Sequence, residues 1–198
     1  MNRRSFLVRL SSAALALASC RTAAVVPQDR EFLQALERAQ RHRPTVLHSA
    51  GRIAPIGETG TPLVIHGRVL RANGLLPAPD VVVFAYHADA TGRYDAPSAG
   101  PHSWRLRGWV RTDADGRFSF ATIRPAPYPS NRVAAHVHLA LEGPDVPQQF
   151  SGILFAGDPL LTADELRKSN DAGRFGSVRP VETRIGAQHV TIEIRTGA

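Results

Sequence analysis

The sequence predicts an all-β fold, an antiparallel β-sandwich with one short amino-terminal helix and long loops. Two observations carry that expectation, and a third says what must hold the fold together. Apolar stretches from residue 63 onward are short, and clusters of Gly, Pro, Asn and Asp separate them. Val190, Ile192 and Ile194 alternate strictly with Thr191, Glu193 and Arg195, the period of a strand with one buried face. The chain holds a single cysteine, so no intramolecular disulfide can hold it and it must rest on a hydrophobic core.

The first nineteen residues read as an address. Asn2-Arg3-Arg4-Ser5-Phe6-Leu7 matches a twin-arginine signal core, followed by an apolar run from Leu10 to Ala18 that is too short to span a bilayer permanently. Leu17-Ala18-Ser19-Cys20 reads as a lipobox, which predicts cleavage before Cys20 and a lipid anchor on its thiol. The expected location is the periplasmic or cell-surface side, reached by the twin-arginine route. A plain signal peptide with an incidental cysteine is the alternative.

Residues 20–50 read as a tether and a short helix. Asp29 is placed to cap a helix to about Arg41, with Phe32, Leu36 and Ala39 on one face and Pro44 beyond its end. Gly51 to Thr61 reads as loop, and residues 51–198 as one sandwich domain. Strands are expected at Leu63–Leu70, Val81–Tyr86, Phe118–Ile123, Val133–Leu141, Phe150–Phe155 and Val190–Ile194. Asn73-Gly74 and Asp115-Gly116 are turn signals, the second read as a hairpin. Thr162 and Glu165 form a capping box for a helix over Ala163 to Lys168, with loop from Ser169 to Pro180.

Formal charge is +7, of which Arg3, Arg4 and Arg9 belong to the signal segment. The excess that is left is nearly all arginine and forms no basic stripe interleaved with aromatics, which argues against nucleic acid as a partner.

The stretch Pro125 to His138 carries the chemistry. His136 and His138 stand two residues apart on an expected strand, so both face one way and can share one cation. Tyr128, on the preceding loop, can add a phenolate oxygen, a hard anionic donor suited to ferric iron. Two unrelated histidines in an ordinary sheet, or a zinc or copper site with the tyrosine incidental, fit the same spacing. His42, His48, His66, His102 and His189 read as structural or solvated; His87 reads first as structural as well, with an approach to the pocket as its lesser alternative. Trp104 and Trp109 read as buried in the sandwich, with a share in the substrate pocket as the lesser alternative.

The runs Val81 to Tyr94 (VVVFAYHADATGRY), Leu106 to Pro129 (LRGWVRTDADGRFSFATIRPAPYP), the histidine pair and Phe155 to Pro159 (FAGDP) occur in an order and spacing that resemble the intradiol ring-cleavage dioxygenases of the protocatechuate 3,4-dioxygenase type. The resemblance spans about residues 63 to 160. It implies a ferric ion, Fe(3+), held by Tyr94, Tyr128, His136 and His138. The implied substrates are a small aromatic diol and O2, and the implied product is a cis,cis-muconate-type dicarboxylic acid. Tyr128 matches the ligand that the family's substrate displaces. Arg132 is the candidate for stabilising charge on the substrate ring, although it lies four residues before His136 where the family has three. Gln149 is offset from the family's glutamine, which falls nearer Gly152. Ser130 and Tyr86 stand where tryptophans are usual, so the pocket wall differs from that of the protocatechuate enzymes. A non-catalytic, transthyretin-like binding lipoprotein is the competing expectation. The sequence gives no indication of oligomeric state.

Overall fold

Strands at both ends of the chain end up side by side. The computed structural model describes residues 30–94, 104–129 and 132–197. Among these, strands β1 (Ala50–Arg52), β2 (Pro62–Leu70), β3 (Val82–His87), β4 (Arg107–Arg111), β5 (Arg117–Ile123), β6 (His136–Gly143), β7 (Val146–Phe155), β8 (Val178–Arg179), β9 (Val181–Arg184) and β10 (Ala187–Arg195) form two five-stranded sheets. Their orders are β1-β5-β2-β10-β9 and β4-β3-β6-β7-β8. Helices α1 (Arg30–Gln40) and α2 (Ala163–Asp171) complete the described elements, with one short 3-10 turn at Gly173–Phe175. The expected signal segment, Cys20, Asp29, His102, Ser130 and the side chain of Phe32 lie outside the described residues.

The all-β expectation holds, but the sheets are mixed rather than antiparallel. β10 runs parallel to β2 over eight register pairs from Gln188↔Leu63 to Arg195↔Leu70, and β1–β5 and β7–β8 are also parallel. Parallel neighbours need long connections, and more than a hundred residues separate β2 from β10.

Alternation assigns the side chains to layers. Leu63 and Ile65, Val83 and Ala85, Phe118 and Phe120, Val137 and Leu139, Ile153 and Phe155, and Val190 and Ile192 fill one core shared by both sheets. Each of the Val, Leu, Ile and Phe side chains among them, fully buried, contributes roughly 1.5–3 kcal/mol. The opposite faces of β3 and β6 present Phe84, Tyr86 and Ala140. These form a second apolar cluster with Trp104 and with Leu36 and Ala39 of α1. Trp109 packs against this cluster, stacks on Phe84 at 5.0 Å and donates from Nε1 to Gln40 Oε1 at 3.3 Å. Trp104 is therefore buried and Trp109 partly buried beneath α1, outside the sandwich, which corrects the expectation that they sit between the sheets. Ordinary strand parity puts Trp109 on the outer face.

One further expectation changes. Asp113 Oδ1 accepts from the amides of Asp115 and Arg117, and Gly116 adopts φ +72°, so the Asp115-Gly116 turn forms. It nevertheless connects β4 and β5, which lie in different sheets, and is a corner rather than a hairpin. His87 is fully buried facing the core. Its Nδ1 donates to Ala88 O at 2.6 Å, and its Nε2 accepts from Thr122 Oγ1 at 2.6 Å, so it is a satisfied core histidine. Burial holds its pKa down at about 4, so it is neutral. The capping box at α2 forms as expected, with Thr162 and Glu165 bonded reciprocally.

Candidate metal centre

His136 and His138 share the outer face of β6 because they are two residues apart on a strand. The backbone amide just before the pair is tied down: Ala135 N donates to Asp158 Oδ2 at 3.0 Å, while Asp158 Oδ1 takes Leu160 N at 2.9 Å. Behind the pair, Tyr86 stacks on His138 with centroids 4.6 Å apart and planes 14° apart, and Trp104 stacks on Tyr86 at 4.4 Å. Burial raises the Tyr86 phenol above its ordinary range, which keeps it neutral beside the imidazole.

Tyr94 and Tyr128 come from two irregular segments that meet at Asp89. The Asp89 carboxylate accepts from Thr91 N, Thr91 Oγ1 and Arg93 N, and its carbonyl accepts from both Gly92 N and Ala126 N. Gly92 turns the chain with φ +80°. Arg105 donates its backbone N–H to Tyr94 O and its guanidinium to both oxygens of Glu58, at 2.6 and 3.0 Å. Pro125, Pro127 and Pro129 fix φ through the segment carrying Tyr128.

The four side chains close into a ring. Tyr94 Oη lies 2.6 Å from Tyr128 Oη, Tyr128 Oη 2.8 Å from His136 Nε2, His136 Nε2 2.8 Å from His138 Nε2, and His138 Nε2 2.9 Å from Tyr94 Oη. Hydrogen bonds alone cannot satisfy this ring. His136 Nδ1 lies 2.7 Å from the Ala134 carbonyl, which only accepts, so the proton of neutral His136 is assigned to Nδ1 and its Nε2 is a bare lone pair. Each phenol has one proton and His138 Nε2 has at most one. That makes three protons for four contacts. Double protonation of the histidines is opposed, since burial lowers the pKa of His136 and lowers that of His138 well below the ordinary value. A cation removes the deficit. Edges this short leave a central point at roughly the 2 Å of a metal–nitrogen or metal–oxygen bond, with all four donor atoms around it. Among the described residues no group of three or more His, Cys, Asp or Glu side chains is placed to hold a metal, so the phenols are needed to complete the site.

Other candidates fall outside the ring. Arg132 is exposed, in the segment between Tyr128 and His136. Gln149 pairs with Leu141, further along the sheet, where it bonds Arg195 O and Gly197 N. The residue opposite His138 is Gly152. His66 and His189 meet at 3.1 Å on the face of β2 and β10 that points away from the core. Sequence reasoning missed the stack of Tyr86 on His138 and the anchoring by Asp158. Strand parity could have signalled the first.

A family model described as Dioxygenase matches residues 36–191, which is most of the chain. The chain belongs to the intradiol ring-cleavage dioxygenase family. Relatives of this family member include the protocatechuate 3,4-dioxygenase beta chain of Burkholderia cepacia, 35% identical over 125 residues that cover 57% of this chain and 51% of that one. Catechol 1,2-dioxygenase 2 of Acinetobacter lwoffii is 29% identical over 143 residues, covering 64% of this chain and 51% of the relative. The chain thus spans about half the length of these relatives. The dioxygenase domain of a carbohydrate-binding fusion protein from Streptomyces sp. SirexAA-E shares the fold, with a TM-score of 0.59 at 22% identity over 78% of this chain and 94% of that one.

Proposed function

We propose that this family member is a non-haem ferric dioxygenase that opens the ring of a catechol-type aromatic with O2, between the two hydroxyl-bearing carbons, to a cis,cis-muconate-type diacid. The observation that carries the reading is the closed ring of two phenol oxygens and two imidazole nitrogens with one proton too few. Tyr94, Tyr128, His136 and His138 would hold the iron, and two phenolates with one hydroxide match the charge of a trivalent cation. Bound there, ferric iron would supply a redox-active Lewis acid at which a catecholate and dioxygen react.

The chain's own residues supply orientation and proton handling. Tyr94 and Tyr128 both sit on irregular backbone, whereas the histidines sit on a strand, so a phenol is the donor best able to move aside, and the family resemblance assigns that role to Tyr128. On release its Oη would take one proton from the substrate diol. His138, stacked on Tyr86, stays fixed. Arg132 would approach the substrate from the segment before His136. The twin-arginine motif and Cys20 support placing the enzyme outside the cytoplasm on a lipid anchor.

The test is to load the purified protein with ferric iron and titrate catechol, protocatechuate and hydroxyquinol, recording the visible spectrum and oxygen uptake. A tyrosinate charge-transfer band is expected, shifting to the red with at least one diol, with loss of iron in Tyr94→Phe and His138→Ala. Unchanged iron content and turnover in both variants would overturn the reading. A colourless protein that refuses ferric iron would favour a binding role.

A further inference from the structure

At the end of the sandwich where β5, β6 and β7 face the β9–β10 hairpin, a cleft of about 540 Å3 opens between Arg124, Pro125, Pro127, Ala156, Val181 and Gln188. That volume is in the range of small-molecule sites. Arg124 is half-buried in its wall, with the guanidinium 3.6 Å over the centroid of Phe155. Its hydrogen bond from Nη1 to Gln188 Oε1 is long, at 3.5 Å, and no ion pair includes Arg124 among the described residues. By contrast Arg105 pairs with Glu58 and Arg174 with Glu193. Asp158, the acid that lines the cleft, gives one oxygen to each of two backbone amides. A guanidinium has five N–H donors in a planar fork, so several of these remain unused beside the cavity.

We propose that this cleft binds a small organic carboxylate with an apolar body, at a site separate from the ring of four metal donors. The fork of Arg124 matches a carboxylate in bidentate geometry. Pro125, Val181 and Ala156 cover the apolar part, and Thr183 and Gln188 offer neutral polar groups at the rim. The single cation, with Asp158 near it, suits a monoanion and disfavours a phosphate dianion.

The experiment is calorimetric titration of benzoate into the iron-loaded full chain, with benzyl alcohol as the uncharged counterpart. Saturable one-to-one binding of benzoate alone is expected. Arg124→Gln weakens it at least tenfold, and Arg124→Lys gives an intermediate loss. Thr183 is an exposed residue on the cleft wall, so Thr183→Trp folds normally, fills the cleft and abolishes binding; this variant decides the matter if Arg124→Gln does not fold. His138→Ala, which damages the metal ring, binds benzoate with the same affinity as wild type when both are titrated free of iron. Absence of saturable binding, equal affinity in Arg124→Gln and Thr183→Trp, or binding that vanishes with His138→Ala and survives Arg124→Gln overturns the proposal.

Discussion

Gly92 lies against the backbone of Pro127 so closely that a β-carbon at position 92 would stand 2.0 Å from the Pro127 carbonyl oxygen and 3.2 Å from Tyr128 Cα. The loop carrying Tyr94 and the loop carrying Tyr128 therefore touch where there is no side chain. That contact lets the two phenol oxygens approach to 2.6 Å.

Gly92→Ala must push the loops apart, and its φ of +80° adds strain of about 1–3 kcal/mol. Because Gly92 is remote from the two-sheet core, the protein is expected to fold with a lowered midpoint while its bound iron falls at least tenfold. Metal analysis by mass spectrometry and thermal unfolding, run on one preparation, check both halves.

Tyr86 backs His138, so shape matters there more than the hydroxyl. Tyr86→Phe is expected to keep the stack and near-normal iron retention. Tyr86→Ala leaves a void beneath α1, costs about 3–5 kcal/mol by analogy with other aromatic truncations, and speeds iron loss to a chelator. Denaturant titration and chelator-competition rates give the two numbers.

Asp158 holds Ala135 and Leu160 by their amides. Asp158→Ala leaves the N–H of buried Ala135 unpaired and should cost about 1–3 kcal/mol. Since Ala135 precedes His136, iron affinity should fall with stability. Asp158→Asn keeps one acceptor oxygen for two amides and sets an NH2 against the other N–H, so it is expected to recover only part of either loss.

The His87 imidazole is neutral in the folded protein, with a pKa held by burial at about 4 against 6.5 for the free side chain. Its folded-state pKa is the lower one, so the unfolded chain binds the proton first. The contribution to stability is then complete above pH 6.5 and is lost as the pH falls toward 4. The advantage of wild type over His87→Gln should shrink by roughly 3 kcal/mol across that window. Urea denaturation at half-unit pH steps measures it.

What the sequence disclosed follows from range of interaction. The shared face of His136 and His138 is a local consequence of strand parity, and Tyr128 lies close enough in sequence to be placed beside them. The place of Tyr94, on a distant loop, came from family resemblance; its Oη lies 2.6 Å from Tyr128 Oη and 2.9 Å from His138 Nε2. Sheet assignment was not legible. The Asp115-Gly116 turn has the same local chemistry whether the chain doubles back in one sheet or crosses to another. The short strands β1, β8 and β9 carry too few residues to show a period, and the direction of β10 depends on a crossover rather than on its own pattern. The place of Trp104 beneath α1 likewise depends on a helix far away in the chain.

The position of β10 bears on how the molecule comes into being. It lies between β2 and β9 in the interior of its sheet, so β2 lacks one whole edge of partners until residue 195 has left the ribosome. Early-made strands must wait, which makes biogenesis slow and all-or-none and exposes an open hydrogen-bonding edge to aggregation in the interval.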